Sequence, residues 1–234
     1  MRAFIHQPYF LPWLGYFNRL AHVDNFVVLD NVQYCVRYYH NRTRIRSSNG
    51  EILWATIPVG QGHFRSKIYD VEAISWEETK KTFEKIKATY ISSAYFRVYW
   101  PQIQRTIEES FPNLLKININ CMKTILELID IRIPNITLAS DYYFGDDRTE
   151  RLIQICHSTN SEELLMGPVS WECHDIQRIQ NENIRLLKHD FFECHPHYLQ
   201  RAGNFLAGLS IIDPLFEVGE KQTRQMVLNS WLPV

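Results

Sequence analysis

The segment His6-Gln7-Pro8-Tyr9-Phe10-Leu11-Pro12-Trp13 constrains this chain more than any other. Pro8 and Pro12 lack backbone N–H donors and push the residues before them away from helical geometry, so the stretch must be an irregular turn. It joins an apolar strand over residues 3–7 to a helix over 13–21, where apolar residues at 13, 14, 16, 17, 20 and 21 follow helical spacing. A second apolar run, Phe26 to Leu29, leads directly into Asp30-Asn31-Val32-Gln33-Tyr34. Short apolar runs of this kind read as buried parallel strands, and open α/β sheets bind ligands just beyond the carboxyl ends of such strands. The chain therefore opens on a binding crevice, and the arrangement suggests an enzyme acting on a phosphorylated substrate.

Further along, Gln33 to Arg46 is polar, aromatic and basic and reads as a long functional loop or a pair of short strands. Ser48-Asn49-Gly50 marks a turn before a strand over 52–59 that Pro58 and Gly60 stop. Ser75-Trp76-Glu77-Glu78 forms a capping box that opens an amphipathic helix through Tyr90. Two more helices are expected over 95–110 and 114–128, then a strand over 136–139 and a helix over 147–159 whose acidic first turn suits its dipole. Strands over 163–166 and 184–189 follow, and Ser210 to Phe216 is a last apolar segment. Alternation of strand and helix at both ends predicts an α/β fold, a Rossmann-like parallel sheet. The whole of residues 1–234 is expected to form a single domain, with a helical segment at about 75–130 inserted between α/β halves.

A formal net charge of -1 excludes wholesale attraction to nucleic acid or to an anionic membrane, so any anion site must be local. No stretch approaches the roughly 20 apolar residues that span a bilayer. The start does not read as a secretory leader, since Ile5 is followed at once by His6, Gln7 and Pro8. Five scattered cysteines without a CxxC pair suit reduced thiols in the cytoplasm better than a disulfide framework. Cys156, His157, Cys173, His174, Cys194, His195 and His197 do not match zinc-ligand spacings, so no metal site is expected; the pattern names no cofactor and leaves an oligomer open.

His6 and Asp30 are the candidate catalytic residues. An imidazole at the tip of the first strand can move a proton near neutral pH, or can simply hold the two-proline turn. A carboxylate at the tip of the second can take an amine proton, bind a metal, hold ribose hydroxyls, or cap a turn. Gln7 and Gln33 adjoin them, and Trp13, Tyr16 and Tyr34 are candidates to wall the pocket or stack on a base or sugar. Arg37, Asn41, Arg42, Arg44 and Arg46 form the dense basic cluster, and guanidinium forks match phosphate oxygens in bidentate geometry. Asp146 and Asp147 precede a helix and read as its caps, and Asp213 reads as a cap of the turn after it.

Taken in order, His6 to Tyr16, Asp30-Asn31-Val32-Gln33-Tyr34, Asn41-Arg42-Thr43-Arg44-Ile45, Thr56-Ile57-Pro58-Val59, Arg151-Leu152-Ile153 and Leu209-Ser210-Ile211-Ile212-Asp213 resemble the WbqC-like protein family. The resemblance covers nearly the whole chain. Members sit among genes for bacterial O-antigen and other surface polysaccharides, which implies making or decorating a nucleotide-linked sugar. Acyl or aminoacyl transfer, glycyl being one candidate, to an amino sugar on a nucleotide is the function it suggests. Met166-Gly167-Pro168-Val169-Ser170-Trp171 departs from the Ser-Gly turn and Tyr of the family pattern. Trp13-Leu14-Gly15-Tyr16 also stands where nucleotidylyltransferases and related ligases carry His-x-Gly-His. That likeness implies an ATP-dependent nucleotidyltransferase or ligase as the alternative, and a non-catalytic glycan-assembly binding protein as another.

Overall fold

In the computed structural model, residues 1–145, 147–201 and 203–230 are described. The first apolar run forms β1 (Arg2–His6), followed by α1 (Leu14–Ala21) and β2 (Asn25–Val28). A hairpin of β3 (Arg42–Arg46) and β4 (Ile52–Thr56) comes next, then three helices, α2 (Trp76–Tyr90), α3 (Phe96–Ser110) and α4 (Leu114–Leu128). The chain continues through β5 (Asn135–Leu138), α5 (Arg148–Ser158), β6 (Glu163–Met166), α6 (Pro168–Cys173), α7 (Ile176–Asn181), β7 (Arg185–Lys188) and α8 (Ile212–Asn229).

Five strands pair in the order β5-β2-β1-β6-β7, every pair parallel. The α/β fold is thus of the Rossmann-like kind. Growth of the sheet proceeds from β1 through β2 to β5, then returns to the other side of β1 for β6 and β7. The carboxyl ends of β1 and β6 therefore flank a topological switch point, where connecting segments diverge and leave a crevice. Apolar burial on both faces explains the near-continuous hydrophobic strands; every residue of β2 is buried.

The two-proline turn cannot satisfy its own backbone, and side chains from distant elements do so instead. Phe10 N–H donates to the Tyr39 carbonyl at 2.9 Å. Thr43 Oγ1 and Ser210 Oγ both donate to the Leu11 carbonyl, at 2.9 and 2.7 Å. Ile211 N–H donates to Pro12 O at 2.8 Å. Asn118 Nδ2 on α4 reaches both His40 O, at 2.7 Å, and Pro8 O, at 3.4 Å. Leu11 holds the turn with a φ of 41°, in the left-handed region that β-carbon sterics disfavour.

Several local expectations hold in detail. Ser75 Oγ accepts from Glu78 N–H at 3.2 Å, and Asp147 Oδ1 from Glu150 N–H at 2.7 Å; Asp146 lies outside the described residues. The stretch before Arg46 contributes one strand, β3, not two, and it pairs antiparallel with β4. The last apolar segment is the opening of α8, a helix that the sequence reading did not extend. Pro214 suits a first turn, while Gly219 at φ 80° interrupts helical geometry within it.

Asp213 is not a simple cap. It is fully buried and receives the hydroxyls of Tyr90 and Tyr198, each at 2.7 Å. Burial raises its carboxyl to about 6, against those two hydrogen bonds. Tyr198 belongs to a non-regular segment that Arg46 also pins, through Arg201 O at 2.6 Å, Gln200 Oε1 at 2.6 Å and Asn204 O at 3.0 Å. Because the folded carboxyl titrates near 6 and an unfolded one near 4, its contribution to stability is intact below about pH 4 and is lost as pH rises through 6. Asp213→Asn is expected to flatten that part of the stability profile in urea titrations. Asp213→Ala, which strands two buried hydroxyls, is expected to cost roughly 2–4 kcal/mol.

Candidate functional site

His6 ends β1 at the switch point. Its Nδ1–H donates to the Gln7 carbonyl at 2.9 Å, and Tyr16 O–H donates to the same oxygen at 3.0 Å. That bond fixes the tautomer and leaves Nε2 with a free lone pair. Tyr9 stands edge-on at 4.7 Å, Tyr16 edge-on at 5.2 Å, and Phe4 tilted at 5.2 Å between ring centres. Burial among these rings lowers the His6 pKa to about 4; the Arg19 charge pushes the same way, against the Gln7 hydrogen bond. At neutral pH the ring is an uncharged acceptor.

Gln7 is set by a residue that the sequence did not single out. His40 is fully buried; its Nε2–H donates to Gln7 Oε1 at 2.9 Å while its Nδ1 accepts from Cys35 N–H at 3.3 Å. Burial, with the neighbouring His6 adding to it, lowers the His40 pKa to about 4. The Gln7 amide oxygen is thus occupied and its NH2 group is the side left to donate. Tyr34 packs its ring 5.5 Å from His40, and burial raises its hydroxyl to about 12. His6, Gln7, Tyr16 and, through His40, Tyr34 are brought together.

Other candidates are committed elsewhere. Asp30, fully buried two residues past β2, accepts from Ser140 N–H at 2.9 Å and Ser140 Oγ at 2.6 Å, so it clamps the tip of β5. Gln33 Nε2 donates to Phe64 O at 2.9 Å in an exposed loop. Trp13 stacks on Phe192 at 4.6 Å and lies so close to Gly15 that a β-carbon there would sit 2.6 Å from its ring. Asn18 Nδ2 donates to Val227 O and Ser230 O, at 2.7 and 2.8 Å, tying α1 to the end of α8.

The basic cluster divides. Arg46 is spent on the segment after residue 195, as described above. Asn41 Nδ2 donates to Ile57 O at 2.7 Å and extends the hairpin. Arg42 lies 4.0 Å over the Trp54 ring and donates to the Arg37 carbonyl. Arg44 lies beside Gly208, its Nη1 3.5 Å from where a β-carbon there would fall. Contacts from His6 to Arg42 run through Tyr9, Tyr39 and Trp54, with Tyr9 and Tyr39 stacked at 5.4 Å and Trp54 tilted against Tyr39 at 5.5 Å. Exposed Arg37, with a φ of 60° in the loop before the hairpin, and Arg44 on β3 are the guanidinium groups of the cluster not bound to other side chains or carbonyls in the described structure.

Among the described residues, no group of three or more His, Cys, Asp or Glu side chains is arranged around a metal position. A hollow of about 480 Å³ lies at the opposite, amino-terminal edge of the sheet, lined by Arg2, Asp24, Arg132, Glu162 and Glu163 among others. Its charges face one another, Arg2 with Glu163 at 2.9 Å and Arg132 with Asp24 at 3.5 Å, so it presents little unmet charge to a ligand.

His189, at the tip of β7, is likewise held near pKa 4, chiefly by burial and next by Arg19. Unfolded histidine titrates near 6.5. The neutral rings of His6, His40 and His189 therefore contribute stability that is full above about pH 6.5 and lost as pH falls through 4. Three such groups outweigh the single opposite contribution of Asp213. Urea midpoints are expected to fall steadily from pH 7 to pH 4.5, with the imidazole NMR signals of all three still those of neutral rings at pH 5.5. Protonated signals at that pH would contradict the burial described.

Comparisons with known proteins match most of the chain. The WbqC-like protein family profile matches residues 7–225. A Mycobacterium tuberculosis protein, named "Uncharacterized protein Rv1507c", is 31% identical over 217 residues, which cover 92% of this chain and 93% of that one. No solved structure matches the chain. With a profile match running from the opening turn into α8, this chain belongs to the WbqC-like protein family.

Proposed function

We propose that this chain is an enzyme of bacterial surface-polysaccharide assembly that transfers an acyl or aminoacyl group, glycyl being one candidate, to an amino sugar on a nucleotide carrier. The observation that carries the reading is His6: a neutral imidazole at the carboxyl tip of the first strand, its tautomer fixed by Gln7 O at 2.9 Å and its other nitrogen left as an acceptor. In this scheme the sugar amine attacks the carbonyl carbon of an activated acyl donor. A C–N bond forms, the bond to the leaving group breaks with its electron pair, and the amine proton passes to His6 Nε2. A bound anion beside the ring raises its pKa from about 4 toward neutrality, so basicity appears when substrate is present. The Gln7 NH2 donates to a carbonyl or hydroxyl oxygen, while Arg37 and Arg44 serve a diphosphate. Asp30 acts as a positioning residue through Ser140.

The ATP-dependent nucleotidyltransferase reading has less support. It depends on two imidazoles where this chain has Trp13, stacked on Phe192, and Tyr16, bound to Gln7 O. Neither ring carries a group that neutralises a phosphate under attack.

Nucleotide-linked amino sugars, titrated one by one, are expected to stabilise the protein, by roughly 2.7 kcal/mol at a hundred times the dissociation constant. His6→Gln is expected to keep that stabilisation and to slow transfer about 10²- to 10⁴-fold. Absence of thermal stabilisation by every sugar nucleotide tried would overturn the reading. So would transfer in His6→Gln at the normal rate.

A further inference from the structure

Arg19 lies in the last turn of α1 and is only 8% exposed, yet no described carboxylate is within ion-pair distance. Its guanidinium carbon sits 5.7 Å over the Phe4 ring. Nη2 donates to the His189 carbonyl at 3.2 Å, and the buried Nε has no acceptor. Nη2 also lies 2.8 Å from where a β-carbon on Gly167 would fall, and Nη1 3.2 Å. The group is therefore flush against bare backbone at the end of β6. It stands among the tips of β1, β6 and β7, at the switch point itself.

Among the described residues no carboxylate pairs with it directly. His6 and His189, the titratable rings at the ends of β1 and β7, are both neutral. Asp190 acts on Arg19 through space, but one of its oxygens accepts from Phe192 N–H at 3.0 Å. Tyr9 and Tyr16 are un-ionised, their hydroxyls raised far above the ordinary range by burial. A buried cation is ordinarily paired and hydrogen-bonded, because desolvation otherwise costs several kcal/mol.

We infer that the switch point is an oxyanion site, in which Arg19 holds a carboxylate or phosphate group of the ligand and Gly167 leaves room for the guanidinium itself. An arginine presents planar donors suited to either anion, and desolvation makes the contact count for more than at the surface. The site lies beside His6, so the anion docked on Arg19 is the charge that raises the pKa of the base. The inference deepens the function proposed above and rests on that reading only for the rest of the substrate; simple anions test it independently of any transfer chemistry.

The probes are sodium phosphate, methyl phosphate and acetate, with chloride at equal ionic strength as reference, followed by thermal shift and calorimetry. Saturable stabilisation of the wild type beyond chloride is expected from at least one of them. Acetate as the tighter probe assigns the site to a carboxylate elsewhere on the ligand, and methyl phosphate to the phosphorylated carrier. Arg19→Gln is expected to weaken binding at least tenfold, and Arg105→Gln, an equal loss of charge on the exposed face of α3, to leave it unchanged. Gly167→Ala suits the backbone there, with φ −83° and ψ 167°, and is expected to weaken binding by displacing the guanidinium. Should Arg19→Gln fail to fold, Gly167→Ala decides. Stabilisation no greater than chloride, or variants that bind as the wild type does, would overturn the site.

Discussion

The hydrogen-bond demand of the opening turn organises this molecule. Two prolines and a left-handed Leu11 leave the carbonyls of residues 7–12 without a helix or sheet to satisfy them. Donors arrive from α1 (Tyr16), the hairpin (Thr43), α4 (Asn118) and the entrance to α8 (Ser210, Ile211). Apart from Tyr16, each is far in sequence from the turn yet must come within hydrogen-bond distance of it, so the turn sets the relative positions of the parts of the chain. The sheet supplies the crevice; this turn determines what stands at its rim.

That arrangement has an electrostatic consequence. Burial that lets the turn be so densely packed also keeps His6, His40 and His189 uncharged. Positive charge is then concentrated on Arg19 inside and on Arg37 and Arg44 outside, with Arg46 withdrawn into structural bonds. An enclosed cation beside a neutral imidazole suits a ligand that brings its own negative charge. Binding and basicity are coupled in such a site, because the same anion that docks on the guanidinium stabilises the protonated ring.

Much of the fold was legible because buried parallel strands are short apolar runs and because caps are local. The Ser75 box, the Asp147 cap and the run Glu163–Met166 each depend on residues a few positions apart. α8 was harder: Pro214 and Gly219 break the helical pattern that would have revealed it. At the site, His6 and Gln7 were visible from their place after an apolar run. His40 was not, since its bond to Gln7 joins residues 33 apart, and Asp30 finds Ser140 across 110. No local spacing encodes such pairs. Arg19 did leave a signal, a cation amid the apolar positions of α1, and an arginine in an otherwise buried stripe merits the question of what neutralises it.

The docking of an anion at the switch point is best tested with selenate, a tetrahedral oxyanion that can be located in a crystal by anomalous scattering. A selenium peak whose oxygens lie within hydrogen-bond distance of the Arg19 guanidinium, next to His6 and Gly167, is expected. Peaks confined to the hairpin and the loop before it, at Arg37, Arg42 or Arg44, with protein or solvent alone beside Arg19, would contradict it.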